Sequence, residues 1–159
     1  MHLDLRLFDE EITELLTFWP GSDPMPSNDD RLSFNGWEAD ADWHLGHRDR
    51  LKLSYAYIEF EASHFRDQKL TPRHSGSLAW LHEWGRGWKS GLIFLGANSL
   101  NSFRFERVDL NVAKQVQFGT TRMELSGTWQ ERLDDNPLGG GNTNYRQRHV
   151  FWLSAGVEI

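Results

Sequence analysis

Apolar and polar residues alternate most cleanly between Trp37 and Phe60. Trp37, Ala39, Ala41, Trp43 and Leu45 fall on one side of an extended chain, and Glu38, Asp40, Asp42 and His44 on the other. A period of two is what a half-buried strand requires. After Gly46-His47-Arg48-Asp49 the alternation resumes, with Leu51, Leu53, Tyr55 and Tyr57 set against Lys52, Ser54 and Ala56. The pattern predicts an antiparallel hairpin. Lys52 then lies near Asp42 or His44, a pairing worth a few tenths of a kcal/mol, roughly.

Within the second strand the apolar set changes parity, from Leu51–Tyr57 at odd positions to Ile58, Phe60 and Ala62 at even ones. The same change occurs from Phe103 and Phe105 to Val108 and Leu110. A one-residue change of face predicts a β-bulge, and bulges bend sheets.

Elsewhere Leu3, Leu5 and Leu7 alternate with His2, Asp4 and Arg6, which predicts a first strand. Asp9 can cap a helix that carries Glu10 and Glu11 in its first turn. Ile12, Leu15, Leu16 and Trp19 follow at helical spacing until Pro20-Gly21. The competing element is a strand from Thr13 to Trp19. Residues 20–31 and 63–76 read as loops, and Asn35-Gly36 as a tight turn. Ser77 can cap a short second helix through Leu78, Trp80, Leu81 and Trp84, stopped by Gly85 and Gly87. Further strands are predicted at 91–96, 102–110, 112–118, 121–131 and 145–155, with turns at 97–101 and 119–120. Residues 133–143 form a glycine-rich loop that fits no phosphate-binding pattern.

About eight strands joined largely by short turns, with no βαβ rhythm, predict a mainly β fold. The expected form is a single domain over residues 1–159: a curved antiparallel sheet, a barrel or a bent β-sandwich, with one or two short helices.

Composition changes this picture in three places. The chain has no cysteine, which excludes disulfides, thiolate metal sites and cysteine nucleophiles. Residues 1–42 hold 11 acidic and 2 basic side chains, and residues 43–159 hold 12 and 15. Without a basic block, no nucleic-acid partner is expected. No signal-peptide pattern and no run of about 18 apolar residues is present, so a cytoplasmic protein with no membrane partner is expected. Eight Trp, ten Phe and three Tyr suit either a small β core or an aromatic binding surface.

Three sets of residues are candidates for chemistry. Asp40, Asp42, His44 and His47 combine carboxylate and imidazole, but same-face neighbours on a strand lie about 7 Å apart, so a solvated face accounts for them and no metal is assigned. His82 could act with Glu83 and Arg86, or with His64 and His74, in acid–base chemistry. Trp80, Trp84 and Trp88, with Arg86 and His82, form the most distinctive segment. Trp and Arg anchors dominate many protein interfaces. The expected function is therefore non-enzymatic binding of a protein partner, of an accessory or toxin-neutralising kind, through Trp80, His82, Trp84, Arg86 and Trp88, with no cofactor. A small-molecule pocket lined by the same tryptophans and histidines, in a ligand-binding barrel or an acid–base enzyme, is the alternative.

Overall fold

A computed structural model describes residues 1–17, 27–63, 71–100, 103–133 and 148–158. Eight strands follow one another: β1 (His2–Thr17), β2 (Ser27–Leu45), β3 (Asp49–Ala62), β4 (His74–Gly85), β5 (Trp88–Leu100), β6 (Phe103–Phe118), β7 (Thr121–Arg132) and β8 (His149–Glu158). Each pairs antiparallel with its sequence neighbours, in the order β1 to β8.

The central hairpin forms as its pattern predicts. Trp43 faces Leu51, Asp42 faces Lys52 and Trp37 faces Tyr57. Asp42 is held by Arg50 rather than Lys52. Arg50 Nε donates to Asp42 Oδ1 at 2.8 Å and Nη2 to the other oxygen. That fork-on-carboxylate geometry is available to Arg alone.

Several expectations are corrected. Among the described residues there is no helix. β1 runs as one strand to Thr17 through the segment read as helical, a continuation of the first strand rather than a helix or a second strand, and β4 occupies the place of the second helix. Residues 18 and 19 of that segment lie outside the described residues. The barrel and the bent sandwich are not formed either: all eight strands lie in one open sheet, with β1 bonded only to β2 and β8 only to β7. Asn35-Gly36 is no turn. Gly36 sits inside β2 opposite Ile58, where an added Cβ would run into the Tyr57 carbonyl oxygen. Neither expected bulge exists, because the register is unbroken from Leu32–Ala62 to Leu45–Asp49 and from Ala97–Phe105 to Trp88–Lys114. The irregularities fall in β1 between Ile12 and Thr17, where Glu14 has a φ of 59°, in β4 between Glu83 and Gly85, and in β5 between Ala97 and Leu100, opposite Phe105 and Phe103.

The strands are joined unequally. At one end, β2–β3, β4–β5 and β6–β7 are linked by residues 46–48, 86–87 and 119–120. At the other, β1–β2, β3–β4 and β7–β8 are separated by residues 18–26, 63–73 and 133–148, and β5–β6 by 101–102 alone. The short-turn ends are staggered. Along the row Ala41–Leu53–Leu78–Phe94–Val108–Glu131, the last pair before the turn lies four residues away in β2–β3 (Leu45–Asp49) and ten in β6–β7 (Phe118–Thr121). Six residues at ~3.4 Å each make about 20 Å, gained over four strand spacings of ~4.8 Å, about 19 Å. The strands therefore incline by roughly 45° to the line through the turns.

Candidate functional site

Register determines which side chains share a face. On one face the rows read Leu7–Trp37–Tyr57, Leu3–Ala41–Leu53–Leu78–Phe94–Val108 and Trp43–Leu51–Trp80–Leu92–Leu110–Trp129–Phe151. Leu125, Leu153 and Val157 continue it across the last strands. Of the exposed large apolar side chains, 21 lie here and only Ile12 and Trp152 on the opposite face of the strands. No described element covers this face. Among the described residues only Gly91, Asp109 and Ala113 are buried, and none belongs to it.

The apolar face is a band with two edges. On β2 it extends over the nine residues Trp37 to Leu45. Beyond the row Leu7–Trp37–Tyr57, the same face carries Asp9–Asn35–Glu59 and then Glu11–Ser33–Glu61. Arg31 pairs with Glu11 at 3.1 Å and Arg73 with Glu59 at 3.4 Å. The parity change at Tyr57–Ile58 is explained by this edge. Above it the apolar residues move to the opposite face, where Phe34 stacks on Phe60 with centroids 6.5 Å apart.

At the short-turn edge stand the residues expected to form a binding site. Trp80, His82 and Trp84 alternate along β4, and Trp88 opens β5, all on the apolar face. His82 lies between two indoles, with ring centroids 4.4 Å from Trp84 and 5.8 Å from Trp80. Trp80 Nε1 donates to Asp49 Oδ1 at 2.8 Å, and His82 Nδ1 lies 2.7 Å from the same oxygen. The His82 contact first, and the Trp80 donor second, hold the Asp49 carboxyl below its usual range. Trp84 Nε1 donates to Ser90 Oγ at 2.9 Å. The Lys114 ammonium lies 5.0 Å from the Trp88 ring centroid and donates to the Arg86 carbonyl oxygen. Trp80, Trp84, Trp88, Leu92, Leu110 and Val112 enclose a groove of about 460 Å³. Arg86 occupies the turn between Gly85 and Gly87, all three at positive φ, with its side chain exposed.

Trp80, His82, Trp84 and Trp88 thus share one face with Arg86 in the adjoining turn, and His74 does not join them. His74 opens β4, eight residues from His82 and roughly 27 Å away along an extended strand. Its Nδ1 lies 2.6 Å from the Tyr55 hydroxyl. His64 falls outside the described residues. Glu83 projects to the opposite face, 3.8 Å from Lys89. Neither His74 nor Glu83 therefore stands beside His82, whose polar contact is the Asp49 carboxylate at 2.7 Å. Asp42 and His44 share a strand face at 3.8 Å, but among the described residues no three His, Cys, Asp or Glu side chains form a group able to hold a metal.

The polar face is cross-linked. Arg107 pairs with Asp109 at 2.8 Å, and Gln130 Nε2 donates to Asp109 at 2.8 Å. Asn111 Nδ2 donates to Thr128 Oγ1 at 2.7 Å. The Arg50 pair lowers the Asp42 pKa to about 2. No family model, curated protein or solved structure matches this chain.

What sequence reasoning missed is the continuity of the apolar face. Its signal was present as alternation of one parity in each segment. Only the register shows that the apolar parities of eight strands fall on one side.

Proposed function

We propose that this chain is a membrane-embedded β-sheet, with its apolar face against lipid acyl chains and its cross-linked polar face turned to water or to protein. The observation that carries this reading is the bounded apolar band. Nine residues on β2 match the 9–11 that a tilted transmembrane strand needs. The inclination of about 45° lies at the upper end of the range typical of transmembrane β-structures, and three of the four connections at the far end are longer than the short turns, as in such structures. Trp80, Trp84 and Trp88 stand at the short-turn edge, where aromatic girdles form, each with an apolar ring and a polar tip. Lys114 reaches from the band to the Arg86 carbonyl, as a snorkelling side chain does.

Energetics favours a covered face. Fully burying one large apolar side chain is worth about 1.5–3 kcal/mol. Leaving 21 of them about half exposed forgoes on the order of 20 kcal/mol, beyond the ~5–15 kcal/mol net stability of a domain. No described helix is long and apolar enough to cross a membrane, which does not bear on strands. In lipid, the free edges of β1 and β8 need partner strands, because unpaired backbone groups there cost several kcal/mol each, roughly.

This reading replaces the expectation of a cytoplasmic protein-binding surface, and the tryptophan cluster becomes an interfacial rim. Vesicle flotation tests it. The full chain, refolded from urea beside phosphatidylcholine vesicles, is expected to float with them and to resist carbonate extraction. A monodisperse, detergent-free protein that stays at the bottom of the gradient would overturn the proposal. Capture of that soluble form by one defined protein would restore the interface reading.

A further inference from the structure

At the opposite edge of the band the apolar face is notched. Gly76 and Gly96 lie side by side on β4 and β5 and leave the row without side chains. Leu53, Leu78 and Phe94 wall the notch from the band side, and the Phe94 ring leans back toward Gly96. The cavity is about 540 Å³, within the usual range for a small-ligand site. Its other rim is polar. Arg104 and Glu106 are ion-paired there, with the Arg104 side chain 70% exposed. The His74 backbone N–H donates to Asn98 Oδ1 at 3.0 Å, and the His74 ring is held by the Tyr55 hydroxyl. Apolar walls therefore face the band, and one cation and one carboxylate face the polar zone beyond it.

We infer that this notch holds one zwitterionic phospholipid, its acyl chain along Leu53, Leu78 and Phe94 and its headgroup between Arg104 and Glu106. The inference rests on the membrane reading above and names a specific lipid contact within it. The argument is charge complementarity at a fixed depth. A phosphate suits a guanidinium fork, and a primary ammonium two carbons further on suits a carboxylate. A phosphatidylethanolamine headgroup supplies both, whereas a phosphatidylglycerol headgroup offers Glu106 only neutral hydroxyls. The missing side chains at 76 and 96 leave the Phe94 ring, which leans over Gly96, as the surface an acyl chain lies against.

The test is native mass spectrometry of the full chain in maltoside micelles, titrated with phosphatidylethanolamine or phosphatidylglycerol. Wild type is expected to retain one phosphatidylethanolamine and to hold phosphatidylglycerol about tenfold less well. The Arg104→Gln/Glu106→Gln variant loses that preference, and Arg122→Gln/Glu158→Gln, which removes another exposed ion pair of the sheet, keeps it. Equal retention of the two lipids, or an unchanged preference in the Arg104/Glu106 variant, would overturn the site. So would full competition by water-soluble glycerophosphoethanolamine, which would assign recognition to the headgroup without the apolar walls. Flotation separates the two claims. A chain that floats but shows no preference loses only the notch, and a chain that does not float loses the membrane reading and the notch with it.

Discussion

The lower and upper halves of β1–β3 are built from the same strands in the same unbroken β2–β3 register, yet their faces are reversed. Below the row Leu7–Trp37–Tyr57 one face is leucine and tryptophan, opposed by Asp42, Arg50 and Lys52. Above it, the same face is Asp9, Glu59 and Glu61, and the phenylalanines stand on the other side. A strand in a uniform core would keep one parity throughout. A change of parity without a bulge means that the surroundings of the sheet change at that height. A lipid layer of finite thickness is such a change.

The largest expected effect comes from placing a charge on one face on either side of that row. In vesicles, Leu53→Arg is expected to cost about 2–4 kcal/mol, and Glu61→Arg on the same face above the band at most about 1 kcal/mol. Urea titration of the vesicle-inserted protein measures both. Equal costs would remove the distinction between the halves. Next in size is the short-turn end, which fixes where the band begins. Gly87 has a φ of +78°, and an added Cβ would strike the Gln115 carbonyl oxygen, whereas Gly46, with a φ of +73°, has open space around it. Gly87→Ala is expected to destabilise by about 2–3 kcal/mol and Gly46→Ala by about 1 kcal/mol, by the same titration. If the two cost the same, contact with Gln115 contributes nothing to the turn.

The smallest effect concerns the polar face. Asp42 has its pKa lowered to about 2, chiefly by the Arg50 hydrogen bonds. A depressed carboxyl stabilises the folded state above its ordinary value of 3.8 and loses that contribution as pH falls through about 2. Wild type should therefore lose more of its denaturation midpoint than Asp42→Asn between pH 4 and pH 2. Identical acid profiles would show that the pair adds nothing to stability.

Much of the sheet was legible in the sequence. The β2–β3 hairpin, the opposition of Asp42 and Lys52, and the turn at Gly119-Thr120 follow from alternation and turn chemistry. The segment from Leu78 to Trp88 misled because its spacing is ambiguous. Residues four apart share a face on a strand as well as on a helix, so Trp80 and Trp84 fall on one side either way, with His82 between them on the strand. Its alternation of Leu78, Trp80, His82 and Trp84 against Ala79, Leu81 and Glu83 was the better guide. The parity change at Tyr57–Ile58 was visible but was assigned to a bulge, because a change of surroundings along one strand has no signature within that strand. The notch was not legible. It depends on Gly76 meeting Gly96 across β4 and β5, and on Arg104 and Glu106 arriving from β6, which only the register shows.

The central claim is that odd-numbered residues of β3 within the band face lipid and even-numbered ones do not. Because the chain has no cysteine, single nitroxide labels can be attached at Leu51→Cys through Glu61→Cys and read in vesicles by electron paramagnetic resonance. Collision rates with oxygen, which is concentrated in acyl chains, and with a water-soluble nickel chelate give the surroundings of each position. The account predicts oxygen-favoured collisions at 51, 53, 55 and 57, nickel-favoured collisions at 52, 54 and 56, and nickel-favoured collisions at 59 and 61 on the same face above the band. Nickel access at every position, or an alternation that continues unchanged through 61, would contradict it.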